Sequence, residues 1–216
     1  ELNMYFGLSE DQIFFQDNVK RFLEDQAPLD IIKKISEGED LSIKNELNQG
    51  LINLGINNIL IPEENGGLGL DLLFASAVSQ SLGEGVATFP FLGPYVIAPI
   101  AIKFGASDEQ KEKLFNEMSQ NLISFGIGFS EYFGSRDSSG LSITNNTVTG
   151  RTLFVLDADY ASHIMLCDKK GQIGFVSLDS EGIEIIDLTT VDKTRTYKEM
   201  SFENTPIEIL DNTKSS

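Results

Sequence analysis

The chain has 216 residues, 41% of them hydrophobic, with 16 Lys and Arg against 33 Asp and Glu for a formal charge of −17. That length holds one large domain or two modest ones with a proper core, and the acidic balance excludes nucleic acid as a partner, because a phosphate backbone calls for clustered Lys and Arg. No apolar run approaches the roughly 20 residues of a membrane span, so no membrane association and a cytoplasmic protein are expected, while the lone Cys167 and lone His163 give neither an internal disulfide nor a metal cluster.

Residues 1 to about 120 read as helical. Ser9 precedes Glu10, Asp11 and Gln12, the pattern of a capping box with acids where the helix dipole favours them. Ile13, Phe14, Val19, Phe22 and Leu23 then recur at helical spacing, predicting one apolar stripe that Pro28 ends. A second stripe, Leu47, Leu51, Ile52 and Leu54, runs to Gly55, a residue suited to a helix terminus. After the glycine-rich turn Ile59–Leu70, a helix from Asp71 to Leu82 mixes small and large apolar residues over most of its surface and is expected to be buried between neighbours. Tyr95–Phe104 reads as a core helix closed by Gly105, and Ser107 with Gln110 forms a second capping box for a helix through about Met118.

From Leu122 the period changes to that of strands. Short runs rich in Ile, Val, Thr, Phe and Leu occur at Leu122–Phe129, Leu141–Thr144, Thr147–Thr149, Leu153–Leu156, His163–Cys167, Ile173–Leu178, Ile183–Asp187, Tyr197–Phe202 and Ile207–Leu210. Asn145-Asn146 is a hairpin signal, since Asn tolerates left-handed backbone. The reading is therefore α+β: an all-α bundle followed by an antiparallel β-barrel or sandwich.

The junction between the two parts, Ser124–Asp137, alternates Phe125, Ile127 and Phe129 with Gly126, Gly128 and Ser130, as a strand packed closely against a flat neighbour would. It then breaks into Glu131-Tyr132-Phe133-Gly134-Ser135-Arg136-Asp137, a polar loop whose hydroxyls and N–H groups are suited to a phosphate or a ring edge.

Five segments in this order, IPEENGGLG at 61–69, GASDEQKEKL at 105–114, FSEYFGSRD at 129–137, VTGRTLFVLDADYASHIML at 148–166 and DKTRTYKEMSFENTPI at 192–207, together resemble the acyl-CoA dehydrogenase family. The resemblance implies a helical N-terminal domain over residues 1–120, a middle β domain over 121–216, and FAD as cofactor. By the same resemblance Phe129 and Ser130 lie against the isoalloxazine, with Ser130 at its polar edge, and Glu131 is counted with them among the cofactor-binding residues. Ser135 reaches the FAD pyrophosphate or the acyl-CoA substrate, and Phe154, Val155 and Leu156 occupy the family's aromatic-Ile-Thr position, with Phe154 across the ring.

The pattern is departed from in three places: Tyr132 stands for a proline, Thr152 for a lysine, and Leu156 for a hydroxyl residue near the flavin. Glu131 and Glu203 do not match the position of the family's catalytic base, which is carried by a C-terminal helical domain expected to start about where this sequence stops, so no catalytic residue is named. Two functions are then carried forward. One is FAD-dependent α,β-desaturation of an acyl-CoA thioester, with electrons passed to an electron-transfer flavoprotein, by a homo- or hetero-oligomer. The other is a non-catalytic structural subunit of a heteromeric acyl-CoA dehydrogenase that has lost its flavin contacts.

Overall fold

The computed structural model describes residues 7–39, 41–134 and 139–213 of the chain. α1 (Glu10–Gln26) starts on the expected box: the Gln12 N–H donates to Ser9 Oγ at 3.2 Å and the Ser9 N–H to Gln12 Oε1 at 2.9 Å. Its buried face differs from the expected stripe. Val19 and Leu23 are buried together with Gln12 and Gln16, whereas Ile13 and Phe14 are exposed. Gln16 is tolerated inside because its Nε2 donates to Ala77 O at 2.9 Å on a neighbouring helix.

Pro28 ends α1 and also opens α2 (Leu29–Ser36), a helix the sequence reading passed over; proline's fixed φ suits a helix start as well as a stop. α3 (Leu41–Asn53) runs out into Gly55 at φ +83°, as expected of that glycine. α4 (Leu72–Glu84) is capped by Asp71, whose Oδ1 accepts from the Phe74 N–H at 3.0 Å. It is buried on one face only, through Ala75, Ala77, Val78 and Leu82, and Leu72 and Leu73 face outward rather than into neighbours. A π-helical turn, Gly93–Ile97, leads into α5 (Ala98–Gly105), and α6 (Asp108–Ser119) starts on the Ser107–Gln110 box.

The strands are β1 (Phe125–Gly128), β2 (Gly140–Thr144), β3 (Thr147–Leu156), β4 (His163–Cys167), β5 (Ile173–Ser177), β6 (Ile183–Leu188), β7 (Tyr197–Pro206) and β8 (Glu208–Ile209), with a single helical turn, α7 (Ser130–Phe133), after β1. They form one open eight-stranded sheet in the order β6-β7-β3-β1-β4-β5-β8, with β2 paired to β3. The α+β class and the helices-then-strands order are as expected, but the sheet is mixed and not the purely antiparallel barrel or sandwich that was anticipated. The difference comes from β1. It pairs antiparallel with β3 and parallel with β4, because the chain leaves β3, crosses the end of β1 through residues 158–162, and returns on its other side. The hairpin is as read: Asn145 and Asn146 take φ +52° and +57° between β2 and β3.

Side chains of the sheet alternate between two cores. Phe125, Ile127, Met165 and Phe175 pack with Ile102, Leu114 and Phe115 of α5 and α6, which joins helices and sheet in a shared interior. Val148, Val155, Ile164, Leu166, Val176 and Met200 form the core of the other face. On that side β1 presents only glycine: a Cβ on Gly126 would stand 2.9 Å from Ile164 Cδ1, and one on Gly128 2.9 Å from Leu166 Cδ2. Among the described residues no helix is long and apolar enough to cross a membrane.

Candidate functional site

The site begins with an irregularity in β3. Its pairing with β7 steps from Thr152↔Met200 to Val155↔Lys198, so β3 carries one residue more than its partner, a bulge at 153–154. Phe154 takes φ +64° there. A left-handed backbone costs a bulky L-residue about 1–2 kcal/mol, and such strain concentrates where a side chain is being aimed. As a result Phe154, 38% exposed, and Leu156 reach the same cavity, while Val155 between them is fully buried in the core of the sheet.

That cavity, of about 300 Å³, lies where β1, α7, β3 and the chain leading into β7 meet the start of the π-helical turn. Phe129, Ser130, Phe154 and Leu156 line it, as do Leu92, Ile127, Phe133, Arg195 and Tyr197. Four of the seven residues singled out from the sequence are thus brought together. Val155 and Glu131 do not line it, and Ser135 lies outside the described residues.

Glu131 is instead buried beneath α7, at 5% exposure. Its Oε2 accepts from Ser130 Oγ at 2.8 Å and Thr152 Oγ1 at 2.5 Å, and its Oε1 from the Leu153 N–H at 2.7 Å. Three donors around one carboxylate fasten the turn after β1 to the strand that carries Phe154, and a buried charge is tolerated because it is so well supplied. Thr152, read as a departure from the family pattern, is therefore part of this anchor. The same bond takes the Ser130 hydroxyl proton, leaving Ser130 Oγ to the cavity as an acceptor.

A second anchor was not legible in the sequence. Asp157, at φ +58° and 5% exposed, accepts from the Gly93 N–H at 2.9 Å, and a Cβ on Gly93 would stand 2.9 Å from Asp157 Oδ2. Arg195 Nη1 lies 3.9 Å from Asp157 Oδ1 and donates to Phe89 O at 2.7 Å. Burial raises the Asp157 carboxyl pKa, opposed by the Gly93 N–H and by Arg195. Burial together with Asp157 pushes the Tyr95 hydroxyl to about 12. Only Asp157 as a residue tolerant of left-handed backbone leaves a sequence signal; its partners are 38 to 64 residues away in the chain.

The lining suits the flat face of an aromatic ring system: three phenylalanines, two leucines and an isoleucine, with polar side chains only at Ser130, Arg195 and Tyr197. A helical layer whose core runs into a mixed sheet, with an aromatic-lined cavity where they meet, defines a helices-first α+β protein built around that junction. The description "Acyl-CoA dehydrogenase, N-terminal domain" matches residues 9–121, more than half of the chain, and the chain belongs to the acyl-CoA dehydrogenase family.

Solved structures share the fold. The Tcur3481-Tcur3483 steroid ACAD, in a variant form, is similar with a TM-score of 0.78 at 20% identity, over 94% of this chain and 57% of that one. An acyl-CoA dehydrogenase from Bacillus anthracis complexed with FAD gives 0.76 at 14%, over 94% and 38%. The ChsE4-ChsE5 complex from Mycobacterium tuberculosis gives 0.71 at 17%, over 97% and 57%. This chain spans less than two thirds of the length of each. A comparison with curated proteins finds no match.

Proposed function

We propose that the chain is part of an FAD-dependent acyl-CoA dehydrogenase, a cytoplasmic oxidoreductase that desaturates an acyl-CoA thioester between its α and β carbons. The observation that carries this reading is Phe154, held in a strained backbone by a bulge and turned, with Phe129 and Leu156, onto one cavity. FAD, when bound, supplies the acceptor for the hydride leaving the acyl β-carbon. Phe129, Phe154 and Leu156 would hold the ring by its apolar face and keep water from it. Ser130, oriented by Glu131, offers an oxygen lone pair to a ring N–H, and Ser135 is proposed for the FAD diphosphate or the acyl-CoA. Val155 takes part through its backbone alone, its side chain being in the core. No described residue is assigned the role of base.

The family membership supports FAD as cofactor, and the likeness to a structure complexed with FAD supports it further. Electron-transfer flavoprotein as acceptor and an oligomeric state, homomeric or heteromeric, belong to the same proposal; the likeness of fold to ChsE4-ChsE5, a complex, favours the heteromer. The test is reconstitution. The purified chain mixed with FAD and passed through gel filtration emerges yellow if the reading holds.

One observation favours the second reading, a non-catalytic subunit of a heteromeric acyl-CoA dehydrogenase. The Ser130 hydroxyl donates its hydrogen bond to Glu131 and Leu156 has no hydroxyl, so two hydroxyl donors are missing from the cavity. A chain that stays colourless after FAD loading, yet forms a defined complex with an active homologue, would establish that role instead.

A further inference from the structure

Arg195 is the single charged side chain among the described residues that line the cavity. It stands between β6 and β7 and is held from behind. Nη1 donates to Phe89 O at 2.7 Å and faces Asp157 Oδ1 at 3.9 Å, while Nε and Nη2 have no partner among the described residues and the side chain is 29% exposed. The nearby Asp192 does not bond to it. Its carboxylate accepts from the Thr194 N–H at 2.8 Å and Thr194 Oγ1 at 2.6 Å.

A guanidinium is a planar fork of N–H donors, and Arg195 shares the lining of the cavity with Phe154 and Leu156. Asp157 behind it offsets much of its charge, which makes it a directional donor to a polar but uncharged acceptor more than a trap for a phosphate. A phosphate at this place would also have to shed its water against Phe129, Phe154 and Leu92.

We infer that Arg195 meets the nitrogen- and oxygen-bearing edge of the ring that rests on Phe154, and supplies the hydrogen bonds that Ser130 and Leu156 do not. This inference rests on the flavin reading above. It makes Arg195 a cofactor-binding residue that stands in for missing hydroxyls, so that the loss of those hydroxyls is compensated from another strand connection. Since reduction places more electron density on that edge, the contact strengthens with reduction and raises the potential of the bound ring.

The experiment measures FAD and riboflavin binding to the 216-residue chain and to Arg195→Gln and Arg195→Lys, with the midpoint potential of the bound flavin. Arg195→Gln is expected to weaken FAD and riboflavin by the same factor, roughly tenfold or more, with Arg195→Lys between it and wild type. A further tenfold preferential loss for the reduced form lowers the midpoint by about 30 mV for a two-electron couple.

Loss of FAD affinity with riboflavin unchanged would move Arg195 to the phosphates and overturn the inference. So would weaker binding with an unmoved midpoint, since that marks a role in shape alone. If wild type binds flavin and Arg195→Gln binds it equally well, the inference fails while the flavin reading stands. If wild type binds neither compound, the flavin reading fails and the inference with it.

Discussion

Phe154 and Glu131 divide the work of the site at the scale of single residues. Replacing Phe154 by glycine relieves the left-handed backbone but adds chain entropy to the unfolded state and removes a partly exposed ring, so unfolding free energy should stay within about 1 kcal/mol of wild type. Flavin affinity should nevertheless fall at least tenfold, as a titration of Phe154→Gly with FAD would measure. Glu131 has the opposite profile. Glu131→Ala leaves the buried Thr152 hydroxyl and the Leu153 N–H without an acceptor and is expected to cost about 3 kcal/mol in urea unfolding, whereas Glu131→Gln, which keeps one acceptor oxygen, costs less than half of that. Of these two, the sequence presented Phe154 as an aromatic on a strand and Glu131 as a loop acid. What each does depends on the bulge and on Thr152, and a register shift against β7 has no signature in β3 alone.

Elements formed by near neighbours were legible, and those formed by distant ones were not. Both capping boxes, the Gly55 terminus and the Asn145-Asn146 turn are settled within four residues, which is why they emerged as read. β3 read as two pieces because Gly150 and the bulge interrupt its alternation, and α7 read as loop because a single turn has no periodicity to detect. The parallel β1/β4 pair was missed since it is made by a crossing 30 residues downstream. The hairpin offers a direct check. Asn146 sits at φ +57°, where glycine is the preferred second residue of a two-residue turn, so Asn146→Gly should raise the thermal midpoint slightly, by about 0.5 kcal/mol of stability. At the contact between β3 and the π-helical turn, the raised pKa of Asp157 means that its ionised form is disfavoured in the folded state. Its effect runs opposite to that of a salt-bridged carboxylate: stability relative to Asp157→Asn increases as pH falls through the folded pKa towards the ordinary carboxylate value, and is lower at neutral pH. Unfolding curves of the two proteins at pH 7 and at about pH 4 would display the convergence.

The molecule as a whole is joined by the core that α5 and α6 share with β1, β4 and β5. A chain cut at residue 120 would strip the sheet from Ile102, Leu114 and Phe115, so the helical piece alone is expected to aggregate and the 216-residue chain to unfold in one cooperative transition by calorimetry. The charge of −17 is distributed over a surface with few cations to balance it, and added sodium chloride should therefore raise the thermal midpoint by screening self-repulsion.

The place of β1 also has a bearing on how the chain is made. It leaves the ribosome before the other described strands, yet it ends in the middle of the sheet, with two edges that must both be covered. Until Cys167 has emerged, the newborn protein carries an apolar ribbon lacking one of its flanking neighbours, and the helical segments made before it offer shelter for one side only. Synthesis stalled between residues 130 and 160 is the interval in which a chaperone would find most to hold.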